Sequence, residues 1–191
     1  EEVGQQLADF FKTQHERALS AEEVGQLLTD FDGHGGNFQT IKAFQLMWLT
    51  LSRPNESVQA EWAEFDLDKA LGTIPARRMK ARREHVVPLP TQAVELLKAM
   101  HPITGHTKFV FPNRDDRQRP MADAALRQAL KKLGWATKYS PHGTRTTGST
   151  RLNEMGYRPD AIEAQLAHAE PNSVRRTYNH ATYLDERRVM M

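Results

Sequence analysis

The stretch "LGTIPARRMKARREHVVPLP", residues 71–90, decides the fold class. Two short apolar runs, "LGTIP" and "HVVPLP", flank a basic segment and read as strands joined by a turn that displays Lys80. The intervening "RRMKARR", residues 77–83, carries five positive side chains and no negative one. Such a stripe is either a solvated turn or a surface that meets phosphate. The remainder of the chain is patterned for helices. This hairpin is therefore the one small sheet, and the class is α+β, mainly α.

Upstream, "RPNESVQAEWAEF" opens a helix just after Pro54, with Val58 and Trp62 four apart on one face. "FQTIKAFQLMWLTL", residues 38–51, is apolar enough to be a buried helix, and the glycines of "DFDGHGGNF" mark the loop before it. Ser20 and Glu23 have the spacing of a capping box for a helix to about Thr29. Residues 1–18 read as a polar helix. Downstream, "TQAVELLKAM" is an amphipathic helix, "KFVFP" a short strand or extended segment and "MADAALRQALKKLG" a helix closed by Gly134. "SPHGTRTTGSTRLNEMG", residues 140–156, takes Ser140 as cap, Pro141 as first helical residue and Gly156 as stop. "DAIEAQLAH" and "SVRRTYNH" follow as short helices. Trp48, Trp62 and Trp135 are expected in the core.

At 191 residues, with 39% hydrophobic and 26% charged residues, the composition is that of a soluble globular domain. No run approaches the roughly 18 apolar residues of a membrane span. The acidic start "EEVGQQLADF" is unlike a signal peptide. Without a cysteine, disulfides, thiol catalysis and cysteine-bound zinc are excluded, which fits a reducing cytoplasm. A net charge of +2 conceals the local basic stripe. Two metal-like patterns fail: in "DFDGHGGNFQTI" His34 and Ile41 replace ligands a calcium loop needs, and no HExxH occurs among the eight histidines.

Several groups suit an oxyanion. His142 and Arg145 lie three apart at a helix start, where free backbone N–H groups and the helix dipole also attract phosphate. Arg53 is fixed at a helix junction by Pro54, and Glu56 is placed to orient its guanidinium by a bidentate pair. Lys80 tips the hairpin, His168 closes "AQLAH", and Tyr178 follows in "TYNH". Each has an ordinary structural explanation when taken singly.

Their order along the chain resembles the tyrosine recombinases of the phage-integrase family. The carrying residues are Arg53 in "SRPNE", Lys80 in "RMKARREHVVPL", His142 and Arg145 in "HGTR", His168 in "LAH" and Tyr178 in "TYNH". The wording of residues 74–90 and 152–188 looks especially like integrases of prophages and genomic islands. The likeness covers about residues 20–188. Ser52, where an apolar residue is expected, and Thr144, where a bulky one is frequent, depart from the pattern.

The resemblance implies a helical catalytic domain with a small antiparallel sheet over residues 20–191, preceded by the end of a linker at 1–19. It implies that Tyr178 attacks a DNA phosphate to form a 3′-phosphotyrosyl link. Arg53 and Arg145 would clamp the phosphate, His142 and His168 would donate to it or help deprotonate the tyrosine, and Lys80 would protonate the leaving oxygen. No metal, ATP or other cofactor is implied. Arg78, Arg82, Arg83 and Lys138 are expected on the DNA backbone. The partners implied are double-stranded DNA attachment sites, further copies forming a tetramer on DNA, and DNA-bending accessory proteins, in the cytoplasm and on the nucleoid, with no membrane. Relatives carry N-terminal arm and core-binding regions, so the chain reads as an isolated catalytic domain. Its C-terminal tail after Tyr178 is expected to be short. A topoisomerase sharing the same nucleophile, or a DNA-binding module that lost cleavage, are the competing readings.

Overall fold

The computed structural model describes residues 17–168 and 181–191. The expected polar helix at the N-terminus and the expected "SVRRTYNH" helix fall on residues outside that range.

Helix α1 (Ala21–Asp32) opens on the anticipated capping box. Glu23 N–H donates to the Ser20 hydroxyl at 3.2 Å, and Ser20 N–H donates to the Glu23 carboxylate at 2.9 Å. Arg17 donates to the same carboxylate, and these bonds hold Glu23 down at about 2. Asn37 caps α2 (Phe38–Thr50), which buries Ala43, Phe44 and Met47. Leu51 then turns left-handed, at φ 52°, and ends the helix.

Helix α3 (Pro54–Val58) stops before the expected Trp62. The main chain of residues 60–62 instead bonds a distant segment: Val110 N–H donates to Ala60 at 2.9 Å and Trp62 N–H to Lys108 at 3.0 Å. Continuing the helix would forfeit those bonds, so tertiary pairing overrides the local periodicity. A 3₁₀ turn, Trp62–Glu64, leads into a two-residue strand, β1 (Phe65–Asp66), too short to be seen as a pattern.

The hairpin forms as read. Strands β2 (Leu71–Ile74) and β3 (His85–Pro88) pair antiparallel from Leu71↔Pro88 to Ile74↔His85, and β1 joins the free edge of β2. The sheet thus has three strands rather than two. Helix α4 (Thr91–Thr104) follows. Helix α5 (Ala125–Lys132) starts later than its sequence suggests, and Gly134 sits beyond it at φ 78°. Helix α6 (Gly143–Glu154) begins two residues after Pro141, with His142 as its flanking residue, and Gly156 at φ 82° lies beyond its end. Helices α7 (Pro159–Gln165) and α8 (Leu184–Met190) complete the described chain. None of the described helices is long and apolar enough to cross a membrane.

The main core joins α1, α2, α4 and α5 through Phe31, Phe44, Leu97, Met100, Leu126 and neighbours. Phe31 and Phe44 stack with ring centroids 3.7 Å apart. Trp135 is buried and donates to Asp30 at 2.8 Å, while Trp48 and Trp62 pack half-buried against the same core. A second cluster, Leu51, Ile162, Leu166 and Met190, ties the end of α2 to α7 and α8.

Gly148 sits where α6 meets that second cluster. A Cβ there would lie 2.5 Å from Leu51 Cδ2 and 2.8 Å from Cδ1, and Leu51 is only 4% exposed. Gly148→Ala is expected to lower unfolding stability by about 1–3 kcal/mol through overpacking. Urea denaturation measures this; an unchanged midpoint would mean that Leu51 has room to move.

Candidate active site

Arg145 occupies the first turn of α6 and reaches across to two other elements. Its Nη1 donates to the Leu51 carbonyl at 2.7 Å, and its Nη2 donates to the Leu166 carbonyl and to His168 Nε2, the latter at 3.1 Å. One guanidinium therefore fastens the end of α2 to the end of α7. Burial, and next the charge of Arg53, lowers its pKa to about 10, while Glu56 and Glu163 pull the other way. It remains a cation at neutral pH.

Because arginine can only donate, His168 Nε2 must accept, and the ring proton sits on Nδ1. Nδ1–H then donates to Glu163 at 2.7 Å. Glu163 thus sets the tautomer of His168, a role that the sequence does not announce because the two are five residues apart across a helix end.

Arg53 precedes Pro54 with extended backbone, φ −68° and ψ 149°. Its Nη1 donates to Glu56 Oε1 and its backbone N–H to Glu56 Oε2, both at 2.8 Å. The expected orienting role of Glu56 is present, with one guanidinium contact instead of two. Ser52 joins a chain of hydroxyls, bonding Ser57 at 2.5 Å and Thr50 at 2.9 Å, so the small polar residue has a local reason. Thr144 is likewise explained: it is fully buried and bonds the hydroxyl of Tyr139, whose phenol burial pushes well above its usual range.

His142 stands at the start of α6. Partial desolvation lowers its pKa, and so do Arg145, Arg127, Arg53 and Lys80, in that order. Four cations from α6, α5, the start of α3 and the β2–β3 connection therefore act on one imidazole. Lys80 itself is exposed on that connection. Arg127, an exposed residue of α5, was hidden in the sequence by an ordinary basic helix face.

Of the groups expected on DNA, Arg82, Arg83 and Lys138 are exposed, with the Lys138 ammonium 5.9 Å from the Trp135 ring centroid. Arg78 is a correction. Its side chain is only 10% exposed, paired with Glu64, and donates to the Glu56 carbonyl at 2.9 Å. Its charge is used inside the protein, against Glu64 and the main chain of α3, the helix that Arg53 precedes. Burial raises the Glu64 carboxyl pKa and Arg78 pulls it back. Arg78→Ala is expected to destabilise by about 3–5 kcal/mol, since a buried carboxylate loses its partner. The raised carboxyl protonates as pH falls, so the loss should be smaller near pH 5 than at pH 8. Denaturation at both pH values checks the sign, and an exposed-type loss below about 0.5 kcal/mol would refute the pairing.

Tyr178 lies outside the described residues, between His168 and Ala181. Among the described residues no group of three or more His, Cys, Asp or Glu is placed to hold a metal ion. The described groups are guanidinium, ammonium and imidazole side chains borne by helix starts and by the β2–β3 connection. That arrangement suits a tetrahedral oxyanion.

The sequence profile of the phage integrase family matches residues 17–184, and the chain belongs to that family. The prophage integrase IntA of Escherichia coli (strain K12) is 45% identical over 174 residues, covering 91% of this chain and 42% of that protein. The integrase of Enterobacteria phage P4 is 38% identical over 196 residues, covering 94% and 45%. The chain thus spans less than half the length of these relatives. Among solved structures, XerH recombinase bound to its difH substrate superposes with a TM-score of 0.66 at 19% identity, covering 88% of this chain and 52% of that one. A lambda integrase dimer bound to a COC′ core site gives 0.61 at 15%, covering 84% and 47%. The fold is the helical catalytic domain of tyrosine recombinases with its small antiparallel sheet.

Proposed function

We propose that residues 20–191 form the catalytic domain of a site-specific DNA recombinase, with residues 1–19 the end of a preceding region. The observation that carries this reading is the bond of Arg145 to His168, supported by the charges of Arg145, Arg127, Arg53 and Lys80 all acting on the His142 imidazole. Family membership and the integrase relatives support it.

In this reaction the Tyr178 phenol oxygen attacks a scissile phosphorus, and the His142 imidazole assists loss of its proton, while His168, whose Nε2 accepts from Arg145, holds that guanidinium. The bond from phosphorus to the 5′-oxygen breaks, and the Lys80 ammonium supplies the proton that makes it a 5′-hydroxyl. Arg53 and Arg145 hold the non-bridging oxygens as their charge grows. A 5′-hydroxyl from another strand then attacks the phosphotyrosine. Tyrosinate leaves readily, since phenol has a pKa of about 10, so the bond energy is kept and no ATP enters. The cationic side chains supply the charge stabilisation, and the reading uses no metal.

The substrates are duplex attachment sites in the cytoplasm, bound by four copies with DNA-bending proteins as helpers. Arg82, Arg83 and Lys138 are assigned to backbone phosphates, which position the duplex without choosing its sequence. Arg78 is no longer part of that set.

The test is covalent capture. The chain is incubated, with EDTA present, with duplexes nicked next to the cut position, then denatured. A protein–DNA adduct whose nucleotide maps by mass spectrometry to residue 178 is the expected result. Tight DNA binding without any adduct would favour a binding module instead.

A further inference from the structure

The β2–β3 connection that carries Lys80 is a surface excursion of ten residues, 75–84, with its lysine exposed. A flexible lysine on a long connection is poorly suited to deliver a proton to one oxygen atom, because orientation accounts for much of a general acid's effect. Something has to hold the base of the connection.

Arg78, two residues before Lys80, is tied to Glu64 and to the Glu56 carbonyl, and two further contacts hold the connection, one on each side of the lysine. Next to it, Met79 is 3% exposed and packs with Ile74 and Val87, and Ala167 lies against this cluster. Beyond it, His85 begins β3, and its Nε2 lies 3.1 Å from the carbonyl of Gln165. A carbonyl only accepts, so the imidazole donates and carries its proton on Nε2. Both contacts end on the last residues before His168. Gln165 is itself 1% exposed and fully engaged: its Nε2 donates to Thr50 at 2.7 Å and its Oε1 accepts from Arg187 Nε at 2.8 Å. Arg187 in turn donates to the Val86 carbonyl at 2.6 Å.

We infer that His85 is a positioning residue for Lys80: its bond to the main chain of α7 locks the strand leading from the Lys80 connection onto the helix that ends at His168. The lysine and the histidine of the site then move as one body. The inference rests on the reading of Lys80 as the proton donor to the leaving oxygen. Besides burial, the charges of Arg187 and Arg145 oppose a proton charge on the ring, with Glu56 acting the other way. Burial, then Arg187, lowers the His85 pKa to about 4, so the ring is uncharged at neutral pH.

The experiment compares two leaving groups. Wild-type chain first captures covalently the duplexes it cleaves from a randomised nicked pool. One captured sequence is then made in two forms, with ordinary oxygen or with sulfur at the 5′-bridging position. With sulfur, the tyrosine oxygen bonds to phosphorus, the P–S bond breaks, and the electron pair stays on a thiolate. That thiolate needs no proton, since a thiol pKa is about 8.5. His85→Leu is expected to slow single-turnover cleavage of the oxygen duplex by about 10–100-fold. On the sulfur duplex it should stay within about threefold of wild type, because the proton donor is no longer needed. DNA affinity should hold on both. His85→Gln, which keeps a neutral N–H donor, should recover most of the oxygen rate. Should His85→Leu fail to fold, Met79→Ala loosens the same junction and should give the same oxygen-selective loss. Equal slowing on both duplexes, or none on oxygen, overturns the inference alone. No covalent capture by the wild type overturns the recombinase reading beneath it.

Discussion

Tyr178→Phe is expected to leave DNA binding within roughly twofold of wild type and to reduce the covalent adduct at least about 10⁴-fold. The change deletes one oxygen, keeps the ring, and alters no charge. Packing and phosphate contacts should therefore survive, while the nucleophile is gone. The chain has four tyrosines, and the surroundings of the other three argue against them. Tyr139 is buried with its hydroxyl bonded to Thr144, and burial raises its pKa, so its phenolate is disfavoured. Tyr157 packs on the Leu51–Ile162 cluster. Tyr183 lies under the Arg158 guanidinium, 4.8 Å from its ring centroid, at the start of α8. Denaturing gels with end-labelled nicked duplex make the comparison, with Tyr183→Phe alongside. An adduct that persists in Tyr178→Phe and disappears in Tyr183→Phe would reassign the nucleophile.

Arg145→Lys should be the most damaging of the charge-conserving changes, slowing cleavage by about 10²–10³-fold. The guanidinium bonds two main-chain carbonyls and His168 at once, from a planar fork that an ammonium on a flexible stem does not reproduce. The carbonyls of Leu51 and Leu166 are then left without their donor, which costs about 1–3 kcal/mol of stability. His168 also loses the contact that fixes its Nε2 as acceptor. Single-turnover cleavage and urea denaturation measure the two effects separately. Arg53→Lys is the useful contrast: its main pair is a single contact with Glu56, which an ammonium can also make, so its stability loss should be smaller. An Arg145→Lys chain that cuts at the wild-type rate would remove Arg145 from the phosphate clamp.

The candidate site residues are picked out by their order along the chain, through its resemblance to a family, and each singly has only a local cue. Arg53 is announced by Pro54 and Glu56, His142 and Arg145 by three-residue spacing at a helix start, and Lys80 by two apolar runs around a basic turn. Arg78 looked like its neighbours in "RRMKARR", and nothing within that heptad separates it from Arg82 or Arg83. Its partner Glu64 lies 14 residues upstream. Glu163 and Arg127 were missed for a similar reason: an acidic or basic residue on a short helix is ordinary until the fold shows what stands opposite.

Sequence alone determined the class, α+β and mainly helical, the β2–β3 hairpin, the capping box of α1 and the glycine stop after α6. Each of these is a decision taken by groups a few residues apart, where chain connectivity already fixes the geometry. Only the tertiary structure decided that the α3 helix ends at Val58, that a third strand joins the sheet, and that Arg145 reaches the Leu51 carbonyl 94 residues away. It also decided that Arg78 points inward and that His168 carries its proton on Nδ1. Those outcomes depend on which buried donors and acceptors are left unpaired once the helices pack. A buried polar group must take the partner that packing brings to it, and chain order does not reveal that partner.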